Sequence, residues 1–337
     1  MNDVAKASGV SQATVSYILN NTAEISEPVK IRVLEEAKKL GYIRNSMARN
    51  LKMRRGNTIG LMVPDVSNSY YSDIIKHTEK IMREAGYFTF ICITMHNPEI
   101  EDWYVTSLIE QKVAGVLVCY GLANKLTLKK FVNYAVPFVV LDDDLQQDVV
   151  DAPCVLINNI KGSFLAVQHF VSLGISKIAY CTEPIYNKSL QDRYDGFMLA
   201  INEFGLQQHL QHVYVGDDNT DISDMIWAGY IAAGEILSKS RPEGIFAVND
   251  DMAIGVIRRL KENQIRVPQD IAVIGYDNVP LSNMISPTLT TINQPVHTMC
   301  IQGAAMLQNL IEGKEDLRRK IMLEPSIIVR ESAPQIL

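Results

Sequence analysis

The sequence predicts an all-α head, residues 1–43, joined by a polar segment, 44–57, to an α/β core of two doubly wound parallel-sheet subdomains. Three observations predict this. Apolar residues recur at helical spacing before residue 41. From Thr58 onward, short continuous apolar runs alternate with helical stretches, and that series occurs twice. Charge also divides the chain: residues 1–55 carry net +5 and the remainder net −11.

In the head, 3–8 reads as a short helix with Val4 and Ala7 on its inner side. Gly9 stands where the chain must turn sharply, a position suited to positive φ. Ser11 is placed to cap a second helix, whose Val15, Ile18 and Leu19 face inward at i, i+3, i+4 spacing. Helix, tight turn, helix is the layout of a helix-turn-helix, whose second helix enters the major groove of DNA. Ser26 and Pro28 open a third helix with Val29, Val33, Ala37 and Leu40 as its inner stripe, ended by Gly41. A basic head on an acidic body implies that the head alone meets a phosphate backbone.

In the core, 59–63 reads as a buried strand, 70–85 as a helix, and 88–93, 115–119 and 138–141 as further strands. A second series follows at 177–181, 213–215, 244–248 and 271–275. Continuous apolar strands between helices imply parallel sheets covered on both faces. The expected division is 58–157 plus 288–318 for the first subdomain and 158–287 plus 319–337 for the second. Ligands bind outside the carboxyl ends of such strands. Those ends offer Asp65, Asn68, Asp142, Asp217, Asp218, Asn249, Asp250 and Asp277. Carboxylates and amides grip hydroxyl groups, and the pair Tyr70-Tyr71 offers an apolar wall for a sugar face. Asp142-Asp143-Asp144 also reads as a solvated loop, and Asp277 as a turn residue after a strand.

Several classes find no support. There is no apolar run of 18 residues or more, so no transmembrane span is expected, and no signal-peptide region. The five cysteines lack metal-ligand spacing and read as buried hydrophobes in a reducing cytoplasm. No Gly-rich phosphate loop, nucleophile elbow or paired metal motif is present, so neither enzyme chemistry, a metal nor a cofactor is expected. His209 and His212 lie in a loop-like stretch.

The run Asp3-Val4-Ala5, Gly9-Val10-Ser11, Thr14-Val15-Ser16 and Leu19-Asn20 resembles the lac repressor/purine repressor family of bacterial transcriptional regulators. Gly41-Tyr42, Asn45 and Ala48-Arg49-x-Leu51 resemble that family's hinge helix. Val248-Asn249-Asp250-x-Met252-Ala253-Ile254-Gly255, Ile274-Gly275-Tyr276-Asp277-Asn278, Leu289-Thr290-Thr291-Ile292-x-Gln294-Pro295 and Val329-Arg330-Glu331-Ser332 resemble its periplasmic-binding-protein-like effector domain. The resemblance covers essentially the whole chain.

It implies a homodimeric, cytoplasmic repressor of a pseudo-palindromic double-stranded operator, controlled allosterically by a small molecule, with a carbohydrate as the first expectation. Control by a nucleobase or a phosphoprotein partner, or solute binding without DNA, are the rival readings. By resemblance, Gln12, Ala13 and Tyr17 read bases, while Thr14, Ser16 and Asn20 hold phosphates. Many relatives carry Arg where this chain has Tyr17, so the half-site is expected to differ there. Asn45, Ala48 and Arg49 contact DNA from the hinge, and Leu51 wedges into the minor groove. Two departures stand out: Arg44 replaces a common Pro, and the chain begins shortly before Asp3. In the effector domain, Arg193, within Arg193-Tyr194-x-Gly196-Phe197, is expected to reach into the cleft with Asn249 and Asp277. Asp218 stands where some sugar-binding relatives carry an aromatic ring.

Overall fold

The structure, a computed structural model, describes residues 1–20, 23, 25–42, 56–119, 125–144, 152–217, 220–314 and 319–335. Contacts divide the chain into two units, Met1–Arg55 and Gly56–Leu337. The hinge residues Arg44, Asn45, Ala48, Arg49 and Leu51, and Asp218 of the core, lie outside the described residues.

The first unit contains α1 (Asn2–Ser8), α2 (Gln12–Asn20) and α3 (Glu27–Lys39). Gly9 ends α1 at φ 65°. The Ser11 hydroxyl accepts the Thr14 N–H at 3.0 Å, which satisfies one orphan donor at the start of α2. Val4, Ala5, Val15, Ile18, Leu19, Val33 and Ala37 form the small core. Two expectations are corrected. Ala5 and Ser8, rather than Ala7, accompany Val4 inward, because α1 turns its i, i+1 and i+4 positions toward α2 and α3. Leu40 is exposed, since it lies past the last turn of α3, where Gly41 reverses the chain at φ 57°. Ser26 occupies the position before α3 without making a side-chain cap bond.

The second unit holds two six-stranded sheets among the described residues. The first is built from β1 (Thr58–Val63), β2 (Phe88–Ile93), β3 (Gly115–Cys119), β4 (Phe138–Leu141), β5 (Cys154–Ile157) and β11 (Lys320–Leu323). The second contains β6 (Ile178–Thr182), β7 (Val213–Val215), β8 (Gly244–Ala247), β9 (Ala272–Asp277), β10 (Thr290–Asn293) and β12 (Ser326–Ile328). Their orders are β11-β5-β4-β3-β1-β2 and β12-β10-β9-β8-β6-β7, so one winding is used twice. Every pairing is parallel except β10 with β12. The central strands are buried along their whole length, as parallel strands covered on both faces must be.

The covering helices are α4 (Ser69–Glu84), α5 (Pro98–Glu110), α6 (Lys129–Asn133) and α11 (Val296–Glu312) on the first sheet's side. On the second they are α7 (Asn159–Ser172), α8 (Lys188–Glu203), α9 (Met225–Lys239) and α10 (Asp250–Glu262). Close approach of α9 and α10 depends on Gly229 and Gly255. A Cβ on Gly255 would lie 1.9 Å from the Ile226 carbonyl oxygen.

The sheets correct the expected division of the core at its C-terminal end. β10 pairs with β9, so 290–293 belongs to the second sheet, while β11 pairs with β5, so 320–323 belongs to the first. The chain therefore passes between the sheets three times: after β5, after β10 and after β11. Such short strands carry no local mark of which sheet they join. Among the described residues, no helix is long and apolar enough to cross a membrane.

Candidate functional site

In the head, the outer side of α2 carries Gln12, Ala13 and Tyr17, all exposed; Tyr17 keeps 50% of its surface. Val15, Ile18 and Leu19 on the opposite side are buried. One helix thus has an apolar seat and a polar, aromatic free face. Thr14 and Ser16 are half-buried, and the Thr14 hydroxyl lies 2.9 Å from that of Ser11. Asn20 ends the helix; its side chain is outside the described residues.

In the core, residues from both sheets meet around one cavity of about 40 Å³. From the first sheet come Asp65 after β1, Asn68, Tyr70 and Tyr71 at the start of α4, and His96 after β2. From the second come Glu183 after β6, Tyr186, Arg193 on α8, Asn249 after β8 and Asp277 at the end of β9. The loops at strand carboxyl ends supply most of the wall, as the open-sheet rule requires.

Arg193 is the centre of the polar network. Only 6% of it is exposed. Its Nε donates to Asn159 Oδ1 at 3.1 Å and its Nη1 to the Val248 carbonyl at 2.8 Å. Asp277 Oδ1 lies 3.5 Å from Nη1, and the guanidinium sits 4.0 Å from the centre of the Tyr276 ring. The Tyr276 hydroxyl also donates to Asn159 Oδ1, at 2.9 Å. Asp277 is fixed from the other side by Gln294 Nε2 at 2.6 Å. Its backbone has φ 113°. A non-glycine residue there costs about 1–3 kcal/mol, and such strain gathers at ligand clamps.

Asp142 follows β4 with φ 57° and is 2% exposed, so the solvated-loop reading fails for this residue. Its Oδ2 accepts the Tyr70 hydroxyl at 2.8 Å, and its carbonyl accepts Ser189 Oγ from α8 at 2.8 Å. The first sheet's loop is thereby tied to the second subdomain. Burial pushes the Asp142 carboxyl up to about 6, against the opposing pull of the Arg193 guanidinium. Burial likewise holds Asp277 well above the usual carboxylate range, with Arg193 again opposing.

The other expected residues divide by role. Asn68 caps α4 through the Tyr70 N–H at 2.8 Å, and Asp65 accepts the Ser67 N–H at 2.8 Å. Tyr70 and Tyr71 are buried edge to face, with ring centres 5.3 Å apart. Asn249 caps α10 at the Met252 N–H and donates Nδ2 to Glu183 at 3.3 Å. Asp250 does not line the cavity. It is fully buried and accepts Val279 N–H at 2.9 Å, Ser282 Oγ at 2.5 Å and Thr291 Oγ1 at 2.5 Å. It thus ties down the segment after Asp277. Asp217 is exposed. His212 pairs with Glu235 at 3.1 Å.

Glu183, Tyr186, His96, Asn159 and Gln294 join the site without being singled out by the sequence. Glu183 had a usable signal, because it stands at the carboxyl end of an expected strand. It is buried, accepts the Tyr186 hydroxyl at 2.9 Å, and is pushed up by burial. His96, at φ 51° with its ring 5.5 Å from that of Tyr186, had none.

Comparisons with known proteins agree with this architecture. Residues 1–45 match the bacterial regulatory proteins of the lacI family, and 167–333 match the periplasmic binding protein-like domain. The HTH-type transcriptional repressor PurR of Vibrio vulnificus is 31% identical over 338 residues, covering 100% of this chain and 99% of that protein. The lac repressor dimer bound to operator and the anti-inducer ONPF shares the fold, with TM-score 0.85 at 24% identity over 98% of each chain. A LacI family transcriptional regulator from Enterococcus faecium with bound ribose superposes with TM-score 0.72 at 26% identity, over 83% of this chain and 100% of that one. The chain belongs to the lacI family of bacterial regulatory proteins.

Proposed function

We propose that this chain is an operator-binding transcriptional regulator of the repressor type, and that a small polyhydroxylated ligand held between the two sheets sets its affinity for DNA. One observation carries the reading: Tyr70 and Tyr71 from the first sheet, with Asp142 bonded to the Tyr70 hydroxyl, and Arg193, Asn249 and Asp277 from the second converge on one cavity. Arg193 brings a fixed positive charge and N–H donors to hydroxyl oxygens, and the carboxyl groups accept hydroxyl protons. The ribose bound by the Enterococcus faecium relative supports a sugar.

The cavity is far smaller than the roughly 300 Å³ at which small-molecule pockets begin. A ligand therefore enters by opening the cleft and repacking the contacts across it. Such opening bends the chain at the three crossings between the sheets. A ligand that prefers one cleft angle shifts the balance of conformations by its differential affinity, and operator DNA must change ligand affinity by the same factor.

The protein works as a homodimer in the bacterial cytoplasm, matching a pseudo-palindrome with two-fold symmetry. The outer strand β2 supports a dimer, since Phe88, Phe90 and Ile91 are exposed on a sheet edge. On the operator, Gln12, Ala13 and Tyr17 meet base edges, and Leu51 of the hinge enters the minor groove.

Fluorescence anisotropy on a selected operator, titrated with ribose and the common hexoses, tests the reading. At least one sugar changes operator affinity fivefold or more, and Asp277→Asn removes the response. Sugar binding that leaves operator affinity unchanged overturns it. A nucleobase is the second reading, favoured by the buried Tyr70–Tyr71 pair, which offers ring surface to a flat ligand; purine bases belong in the same titration.

A further inference from the structure

We infer that the ligand of this cleft is a sugar bearing a protonated amino group, a refinement that rests on the sugar reading above. The observation is an imbalance of charge and of hydrogen-bonding capacity in one cavity. Among the described residues lining it, Asp65, Glu183 and Asp277 carry carboxyl groups, while Arg193 is the one Lys or Arg. Arg193 lies against Asp277 at 3.5 Å. Glu183 is bonded by neutral donors, the Tyr186 hydroxyl at 2.9 Å and Asn249 Nδ2 at 3.3 Å. Arg193 also pulls on Glu183, so a single guanidinium serves Glu183, Asp277 and Asp142 together, and a buried carboxylate short of positive charge is costly.

Acceptors are also in surplus. Gln294 Oε1 is buried and has no hydrogen-bond partner among the described residues. Gln294 is joined to the cavity wall through Asp277. Orphaned buried acceptors call for donors. An ammonium group brings three donors and no acceptor, whereas a phosphate or carboxylate brings only more acceptors.

The ring surfaces fit the same group. Tyr70, Tyr71 and Tyr186 share the wall with Glu183 and Asp65. Aromatic faces beside carboxylates attract an ammonium through the ring quadrupole and charge together. Burial pushes Glu183, Asp142 and Asp277 upward, and the pull of Arg193 on all three opposes it. The amine end of the sugar is held at Glu183, and the hydroxyl end at Arg193 and Asp277. A 6-phosphate or an acid group would meet the same carboxylates and be repelled.

The test is calorimetric titration of the full chain at pH 7 with glucosamine, galactosamine and mannosamine, their parent hexoses, and the hexose 6-phosphates. At least one hexosamine binds tenfold or more tighter than its parent, and tighter than any 6-phosphate. Glu183→Gln brings that hexosamine to within about threefold of its parent, because a charge-assisted bond becomes a neutral one. The inference is overturned if no hexosamine binds, if a parent or phosphate ester binds as tightly, or if Glu183→Gln weakens amine and parent alike. Neutral hexose binding without hexosamine preference removes only this inference. Binding of no sugar at all removes the sugar reading as well.

Discussion

Replacing Asp250 by Asn should change how core stability depends on pH. Asp250 is fully buried, and its two oxygens accept Val279 N–H, Ser282 Oγ and Thr291 Oγ1. Burial pushes its carboxyl up to about 7, from 3.8. A carboxyl raised in the folded state binds its proton more tightly there than in the unfolded chain. Stability is therefore lost as pH rises from the unfolded value through the folded one. Between pH 5 and pH 8 the unfolded group is ionised throughout, while the folded group gives up its proton near 7. At about 1.4 kcal/mol per unit, the loss from this group over that window is on the order of 2–3 kcal/mol. Asn cannot ionise, so Asp250→Asn lacks the loss. It gives up an acceptor for Ser282 or Thr291, a deficit that is the same at both pH values. The assay is urea unfolding followed by tryptophan fluorescence. Both tryptophans, Trp103 and Trp227, lie in the Gly56–Leu337 unit, so the signal reports the core. The variant gains on the order of 2–3 kcal/mol relative to the wild-type chain from pH 5 to pH 8. Parallel pH profiles for the two proteins would refute the reasoning.

Further outcomes follow from the same geometry. Arg193→Met leaves Asp277 and Asp142 without their shared cation. It should cost the core about 3 kcal/mol at pH 8 and less at pH 5, where Asp142 takes up a proton; equal losses would contradict the pairing. Gly255→Ala forces a Cβ against the Ile226 carbonyl oxygen and should destabilise the core by about 3 kcal/mol in urea, whereas a neutral result would mean that α9 and α10 can separate freely. Ser11→Ala removes the cap of α2 and should lower head stability by about 1 kcal/mol, read from the exchange rate of the α2 amides; unchanged protection would count against the cap. Tyr17→Ala should alter the base selected at one step of each half-site, and an identical selected sequence would remove Tyr17 from base reading.

Most of the architecture was legible because its signals are local. Continuous apolar runs such as 115–119 and 138–141 mark buried parallel strands, and Gly9 with Ser11 marks the turn between the first two helices. What escaped was set by distant partners. The four-residue strands β10 and β11 look alike in isolation, and only their pairing with β9 and β5 sorts them between the sheets. Ala5 and Ala7 are equally small, and the packing of α1 on two helices decides between them. The same distinction holds at the site. Asp142, Asn249 and Asp277 end expected strands, and Arg193 was found through its motif. Asn159 and Gln294 brace the residues that face the cavity, a role assigned by the fold. Glu183 obeyed the strand-end rule and could have been read. Asp250 obeyed it too, yet it holds the loop behind the cleft.

The central claim is that a ligand in the core governs a sequence-specific DNA reader in the head. The most direct measurement is selection of genomic fragments by the full-length chain, with and without a small-molecule extract of the source cells. Enrichment of a pseudo-palindrome with a central pyrimidine–purine step, at a yield that changes with the extract, is the expected result. Recovery of unrelated fragments under both conditions by a folded protein would contradict it.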